Sequence, residues 1–204
     1  VAGERRLASR RDHHVLDRAE GPDVTIGPAR GEVAVLETVQ HRLGTPPVVG
    51  AARALSFFGE HAAGWIALGV LGAALDAPRR RQWGTAVAGV VAAHGGSIAV
   101  KRVVRRRRPH DPRLAVHVGT PSRLSFPSSH ASSTTAAALL YAGLVGGGGA
   151  GVAALVVPGM ALSRLVLGVH YPTDVLAGSV LGAVCAAGAR RAVRRGSVGR
   201  WRTA

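Results

Sequence analysis

Three short polar clusters, each beside a long apolar stretch, hold the residues of this 204-residue chain that could do chemistry. The first runs from Lys101 to Arg108 and Pro109. Lys101 is the one lysine among twenty-five arginines, so this position keeps a compact ammonium on a flexible stem where Arg serves everywhere else. Seven residues on, Arg108 would return to the same side of a helix after about two turns, with Arg105 between them, and the set could clamp one anion. A basic flank without further role would look the same in isolation. The second cluster is Pro127-Ser128-Ser129-His130, just before an apolar helix whose first turn offers unpaired N–H groups. Hydroxyls and amides there suit a phosphate, and a histidine can give a proton to a leaving group, although helix capping alone would also account for the serines. The third is Ser163-Arg164, five residues, then His170-Tyr171-Pro172-Thr173-Asp174. Arg164 in uncharged company points to a buried anionic partner. A carboxylate four residues after His170 can fix the imidazole tautomer and leave the other nitrogen more nucleophilic, and it can also cap the following helix.

These clusters must be positioned by the apolar stretches between them. No Asp, Glu, Lys or Arg occurs in residues 61–75, 82–100, 124–163 or 175–189. About 20 apolar helical residues cross the roughly 30 Å hydrocarbon layer. The expected fold is therefore all-α, a polytopic membrane helical bundle of about five spans, roughly 48–75, 83–100, 131–145, 150–169 and 174–189. Gly146 to Gly149 divide the forty-residue uncharged run into a hairpin. Arg53, Glu60 and His61 interrupt the first span and call for partners or a polar cavity, unless the span begins near Ala62. Trp83 is expected at the interface. Alternating spans bring all three clusters to one membrane face.

Residues 1–46 form a polar N-terminal segment without the apolar core of a signal peptide, so the segment is expected to stay attached. Within it Val33, Val35, Leu36, Val39 and Leu43 recur at helical spacing, the pattern of an amphipathic helix lying at the interface or packed on the protein itself. Residues 47–190 make the membrane domain, and 191–204 a basic tail.

Composition excludes several classes. One cysteine, Cys185, rules out an internal disulfide. The net charge of +15 would suit nucleic acid, but the arginines flank apolar runs, only eight residues are aromatic and no recognition motif is visible, so no nucleic-acid partner is expected. After Asp76 the only carboxylates are Asp111 and Asp174, too few for a Mg²⁺ site, so no metal or other cofactor is expected. His94, His110, His117 and Cys185 are read as structural.

The three clusters together resemble the type-2 phosphatidic acid phosphatases, whose signature is Lys-x6-Arg-Pro, Pro-Ser-Gly-His and Ser-Arg-x5-His-x3-Asp. All spacings match over roughly residues 50–190, with one departure, Ser129 in place of glycine. The resemblance implies a membrane enzyme that hydrolyses a phosphate monoester through a phosphohistidine. It implies catalytic roles for His170 as nucleophile, Asp174 as its orienting carboxylate and His130 as proton donor and then base. Lys101, Arg108, Ser128, Ser129 and Arg164 would hold the phosphoryl oxygens.

The stretches Arg105 to Pro112, Val118 to Ser122 and Ser133 to Thr135 are also similar to actinobacterial decaprenylphosphoryl-5-phosphoribose phosphatases of cell-wall arabinan synthesis. That likeness implies removal of the ribose 5-phosphate to give decaprenylphosphoryl ribose. Undecaprenyl pyrophosphate, phosphatidylglycerophosphate and phosphatidic acid are the competing substrates, and a non-catalytic membrane scaffold is the competing class. The expected partners are the lipid-linked phosphate and the membrane, with association to an upstream prenyl-phosphate transferase or to further copies of the chain left open. Fifteen basic residues on the motif side against nine opposite favour a cytoplasmic site in the plasma membrane.

Overall fold

The computed structural model describes residues 30–200, with side chains for 31–195. Residues 1–29 of the polar N-terminal segment and 201–204 of the tail lie outside the described residues. The described helices run α1 Arg30–Leu43, α2 Pro46–Gly59, α3 Ala63–Leu75, α4 Arg80–Val104, α5 Ser129–Val145, α6 Gly149–Val166 and α7 Pro172–Arg200. One isolated antiparallel bridge, Arg107 to Leu124, pins the loop between α4 and α5.

Four stretches are long and apolar enough to cross a membrane: Pro46–Leu75, Ala77–Val104, Gly149–Val166 and Pro172–Arg195. They turn large apolar side chains outward, among them Phe57, Leu75, Leu155 and Val184. The remaining expected span, α5, has 17 residues, ten of them buried, and packs against α4, α6 and α7. Its first turns are rich in Ser and Thr, which are sheltered in the bundle rather than facing lipid. Ser132 and Ser133 return their hydroxyls to the carbonyls of Ser128 and Ser129, and Thr134 accepts the Trp65 indole N–H at 3.0 Å. Close approach to α7 needs glycine at two successive turns. A Cβ on Gly178 would stand 2.5 Å from the Ser128 carbonyl, and one on Gly182 2.3 Å from that of Ser132.

The first span is broken. After Gly59 the chain makes a tight turn over Glu60–Ala62, with His61 and Ala62 at φ +50 and +60, before α3 resumes. Arg53 needs no lipid-buried partner, because its Nε donates to the His117 carbonyl of the α4–α5 loop at 2.9 Å. Trp83, expected at the interface, stands in the first turn of α4. It is buried against Tyr141, and its indole N–H donates to Asp76 at 3.0 Å.

Helix α1 packs on the bundle at the end where α4, α5, α6 and α7 bring the three polar clusters. Leu36 is fully buried. Gln40 clasps the α4–α5 loop, donating to the carbonyls of Ala115 and Val166 while its oxygen accepts from the Ala115 N–H. Glu37 pairs with Arg113 of the same loop.

Candidate active site

His170 sits in the short turn between α6 and α7. Gly168, at φ +70, makes that turn possible, and a Cβ there would stand 2.3 Å from the Ala115 carbonyl. Pro172 then opens α7 at the position where a missing N–H costs nothing. Asp174, two residues later, is fully buried and accepts the Tyr171 N–H on Oδ2 at 2.8 Å, one half of a capping box. The same Oδ2 lies 3.5 Å from His170 Nδ1, so the carboxylate both caps the helix and faces the imidazole.

The His170 tautomer follows from its other neighbour. Arg108 Nη1 is 3.1 Å from Nε2, and a guanidinium can only donate, so Nε2 carries the lone pair and Nδ1 the hydrogen; Nδ1 lies on the Asp174 side but makes no hydrogen bond among the described residues. Burial first, and then the charges of Arg108, Lys101 and Arg164, hold the imidazole well below its ordinary range and therefore neutral.

The cations reach the site from separate elements. Helix α4 ends at Val104 with Arg105 at φ +53, so Arg108 does not share a helix with Lys101 as expected. It arrives on the bridged loop, and Arg105 points away, exposed. Lys101 Nζ donates to the carbonyls of Ser125 and Pro127 at 2.9 and 2.6 Å, leaving one of its three donors for a ligand. Arg108 donates Nε to the Ser122 carbonyl and Nη1 to that of Val169. Burial lowers its pKa to about 10, so it stays charged. Arg164, 2% exposed, gives Nε to Ser163 Oγ, and its Nη2 has no partner among the described residues.

His130 faces His170 from the first turn of α5. Its Nε2 lies 3.0 Å from the Ser56 carbonyl, which can only accept, so Nε2–H is committed there and Nδ1 is the ring atom left to hold or release a proton. That carbonyl is free because the chain breaks after Gly59: the Glu60 N–H bonds to Phe57 instead. Ser129 Oγ accepts from Ser97 at 2.7 Å.

A cavity of about 310 Å³ collects these groups; Lys101, Arg108, Ser129, His130, Arg164 and His170 all line it. Ser128 and Asp174 do not. Ser128 is fully buried, and its hydroxyl caps α5 by accepting from the Ala131 N–H. Among the described residues no three His, Cys, Asp or Glu side chains converge to hold a metal ion.

Two further residues join the site that the spacing of the clusters gives no reason to choose. Arg106, 4% exposed, donates Nη1 to Asp174 at 2.9 Å and to Thr173 at 2.7 Å, gives Nη2 to Glu32 of α1, and lies 4.2 Å from the centre of the Tyr171 ring. Glu32 in turn accepts from Thr173. Burial pushes the Glu32 carboxyl up, but hydrogen bonds from Thr173 and Arg106 outweigh it and hold the group below its usual range. Arg106 was hidden in a run of four arginines.

Comparison with known proteins follows the same lines. A family model described as the PAP2 superfamily matches residues 82–196. The chain is 56% identical over 150 residues to the decaprenylphosphoryl-5-phosphoribose phosphatase of Mycolicibacterium smegmatis, covering 73% of this chain and 82% of that protein. It is 50% identical over 159 residues to the protein of the same name from Mycobacterium tuberculosis, covering 78% and 88%. Among solved structures it is similar to LpxE of Aquifex aeolicus, at a TM-score of 0.67 and 17% identity over 82% of this chain and 99% of that one. A transmembrane PAP2-type phosphatidylglycerolphosphate phosphatase from Bacillus subtilis gives the same TM-score at 20% identity, covering 82% and 88%. The two structures speak for the fold alone. The family match over more than half of the chain, and the identity to the curated relatives, make the conclusion plain: the chain belongs to the PAP2 superfamily.

Proposed function

We propose that the chain is a membrane phosphatase that hydrolyses a lipid-linked phosphate monoester through a phosphohistidine on His170. One observation carries this: the buried Arg164 guanidinium, with an unpartnered Nη2, meets Lys101, Arg108 and the His170 lone pair at a single cavity. Buried cations without carboxylate partners are costly unless an anion completes them. Phosphoryl transfer needs chiefly positioning and charge stabilisation, which this arrangement supplies.

In the scheme, the substrate phosphoryl group takes over the Arg108 hydrogen bond and frees His170 Nε2 to attack phosphorus. The dianionic phosphoryl group offsets the surrounding cations and lets His130 take up a second proton on Nδ1, and the ester P–O bond breaks as that proton passes to the leaving oxygen. Asp174 stabilises the charge that develops on His170, and Arg106 and Glu32 hold Asp174 in place. His130, now neutral, takes a proton from water. The hydroxide formed attacks phosphorus, the P–N bond breaks, and inorganic phosphate leaves with His170 neutral again. Lys101, Arg108 and Arg164 hold the phosphoryl oxygens, with Ser129 at the cavity wall and Ser128 supporting from beneath as the cap of α5.

The identity to proteins named decaprenylphosphoryl-5-phosphoribose phosphatase favours that lipid as substrate, with decaprenylphosphoryl ribose as product. The basic residues of α1 and of the α4–α5 loop favour a cytoplasmic site in the plasma membrane. An enzyme that supplies the substrate, or a second copy of the chain, is the partner to seek by cross-linking.

The test is phosphate release by the purified protein in detergent from this lipid, phosphatidic acid, phosphatidylglycerophosphate and undecaprenyl pyrophosphate. Release is expected to be fastest from the phosphoribose lipid, to persist in excess EDTA and to vanish in His170→Ala. Chelator-sensitive turnover, or none with any lipid, would refute the scheme. For the membrane face, a cysteine introduced by His110→Cys in a Cys185→Ala background should resist external labelling of intact cells.

A further inference from the structure

One wall of the cavity has no role in the hydrolytic scheme. The break after α2 carries Glu60 to that wall, where its Oε2 lies 3.8 Å from His130 Nε2 and its Oε1 3.5 Å from His61 Nδ1. From α4, His94 brings its ring to 6.3 Å from that of His61, and its Nδ1 is buried with no partner among the described residues. All four side chains line the same cavity as the cations. Residues with a side chain rarely adopt the left-handed conformation of His61 and Ala62, so the backbone strain goes into turning Glu60 toward the cavity and not along a straight helix.

A carboxylate repels a phosphoryl dianion, so Glu60 cannot serve the phosphate. It stands on the Nε2 side of the His130 ring, and both residues line the cavity that must also hold the leaving group once His130 Nδ1 has given it a proton. A carboxylate accepts hydrogen bonds and never donates, and an imidazole nitrogen without a partner can accept one more. The complement of such a wall is a leaving group that carries hydroxyl donors. At about 310 Å³ the cavity falls at the small end of ligand pockets, which run from roughly 300 to 1,000 Å³, and has space for more than a phosphoryl group.

We propose that Glu60 and His94, with His61 behind Glu60, form a subsite for the hydroxyl groups of the leaving alcohol. The protein would then select phosphate monoesters of a sugar or other polyol over those of simple lipid alcohols. The subsite rests on the phosphatase reading above and assigns it a substrate class from the cavity itself.

The experiment compares a short-chain prenylphosphoryl-5-phosphoribose with its 2,3-dideoxy analogue, using purified wild type, Glu60→Gln and His94→Gln in one detergent. Wild type should prefer the hydroxylated substrate in kcat/KM by about ten- to a hundredfold, as a hydrogen bond to a charged acceptor allows. In Glu60→Gln the ratio should collapse toward one, mainly through KM. His94→Gln should reduce it in the same direction and keeps the test alive if the first variant misfolds. A wild-type ratio near one would overturn the subsite. So would a Glu60→Gln that slows both substrates equally and moves the pH limb of kcat, since that would make Glu60 a partner of the His130 proton. No phosphate release from either substrate would defeat the phosphatase reading itself.

Discussion

Replacing Arg106 with methionine tests how Asp174 is held. The guanidinium is 4% exposed and lies between two carboxylates, Asp174 at 0% and Glu32 at 9%. Removing one member of a buried ion pair costs about 3–5 kcal/mol, because the charge left behind has neither water nor partner. Asp174 keeps the Tyr171 N–H and Glu32 keeps Thr173, which together confine the loss to that range. For a chain of this length the cost lowers Tm by roughly 6–20 °C. Glu32→Gln leaves the Arg106–Asp174 pair intact and should cost about 1–3 kcal/mol. The double variant should be less destabilised than the sum, since removing both charges removes the mismatch that each single change creates. The assay is thermal unfolding in detergent, followed by tryptophan fluorescence and paired with kinetics. A mispositioned Asp174 should cost about 1–3 kcal/mol at the transition state, roughly five- to a hundredfold in kcat, with little change in KM. A Tm within 2 °C of wild type for Arg106→Met, or a loss confined to KM, would refute the positioning role.

Three other substitutions probe separate links. Burial keeps His170 unprotonated well below 6.5, so the unfolded chain binds a proton there that the folded chain does not; stability should fall as pH drops below 6.5. His170→Gln should remove up to about 1.4 kcal/mol per pH unit of that slope, read from Tm against pH. In Gly59→Val, side-chain atoms meet His130 Cδ2 at 2.8 Å and Met160 Cε at 3.0 Å, so the proton donor shifts and kcat should fall more than KM rises. Gly182→Val pushes α7 off the Ser132 carbonyl and should cost at least the roughly 1–3 kcal/mol of an overpacked core, seen as a lower Tm.

Much of the site was legible because its chemistry demands residue types at fixed spacings. Lys101, His130, Arg164 and His170 were placed together by alternating spans, and the helix ends at Val104, Ser129, Val166 and Pro172 put them there. What hydropathy could not show was how individual side chains are satisfied. Nothing in the neighbourhood of Trp83 reveals that its ring packs on Tyr141 and that Asp76 accepts its N–H. Arg105 and Arg106 are chemically identical and adjacent. The left-handed turn at Arg105 decides which one enters the core, and the bridge of Arg107 with Leu124 follows directly after it. His94 stands in a charge-free run that gives no hint of a ligand, yet its place on α4 faces the cavity. The break in the first span was visible only as the cost of Glu60 and His61. Its consequence, a free Ser56 carbonyl that sets the His130 tautomer, required the backbone.

The most direct measurement is rapid-quench trapping with substrate labelled in the scissile phosphate, followed by peptide mapping under alkaline conditions that preserve phosphoramidates. Label should appear transiently on the peptide that contains His170 and be absent in His170→Ala. Full turnover without a labelled protein, or label on His130 or any other residue, would contradict His170 as the nucleophile.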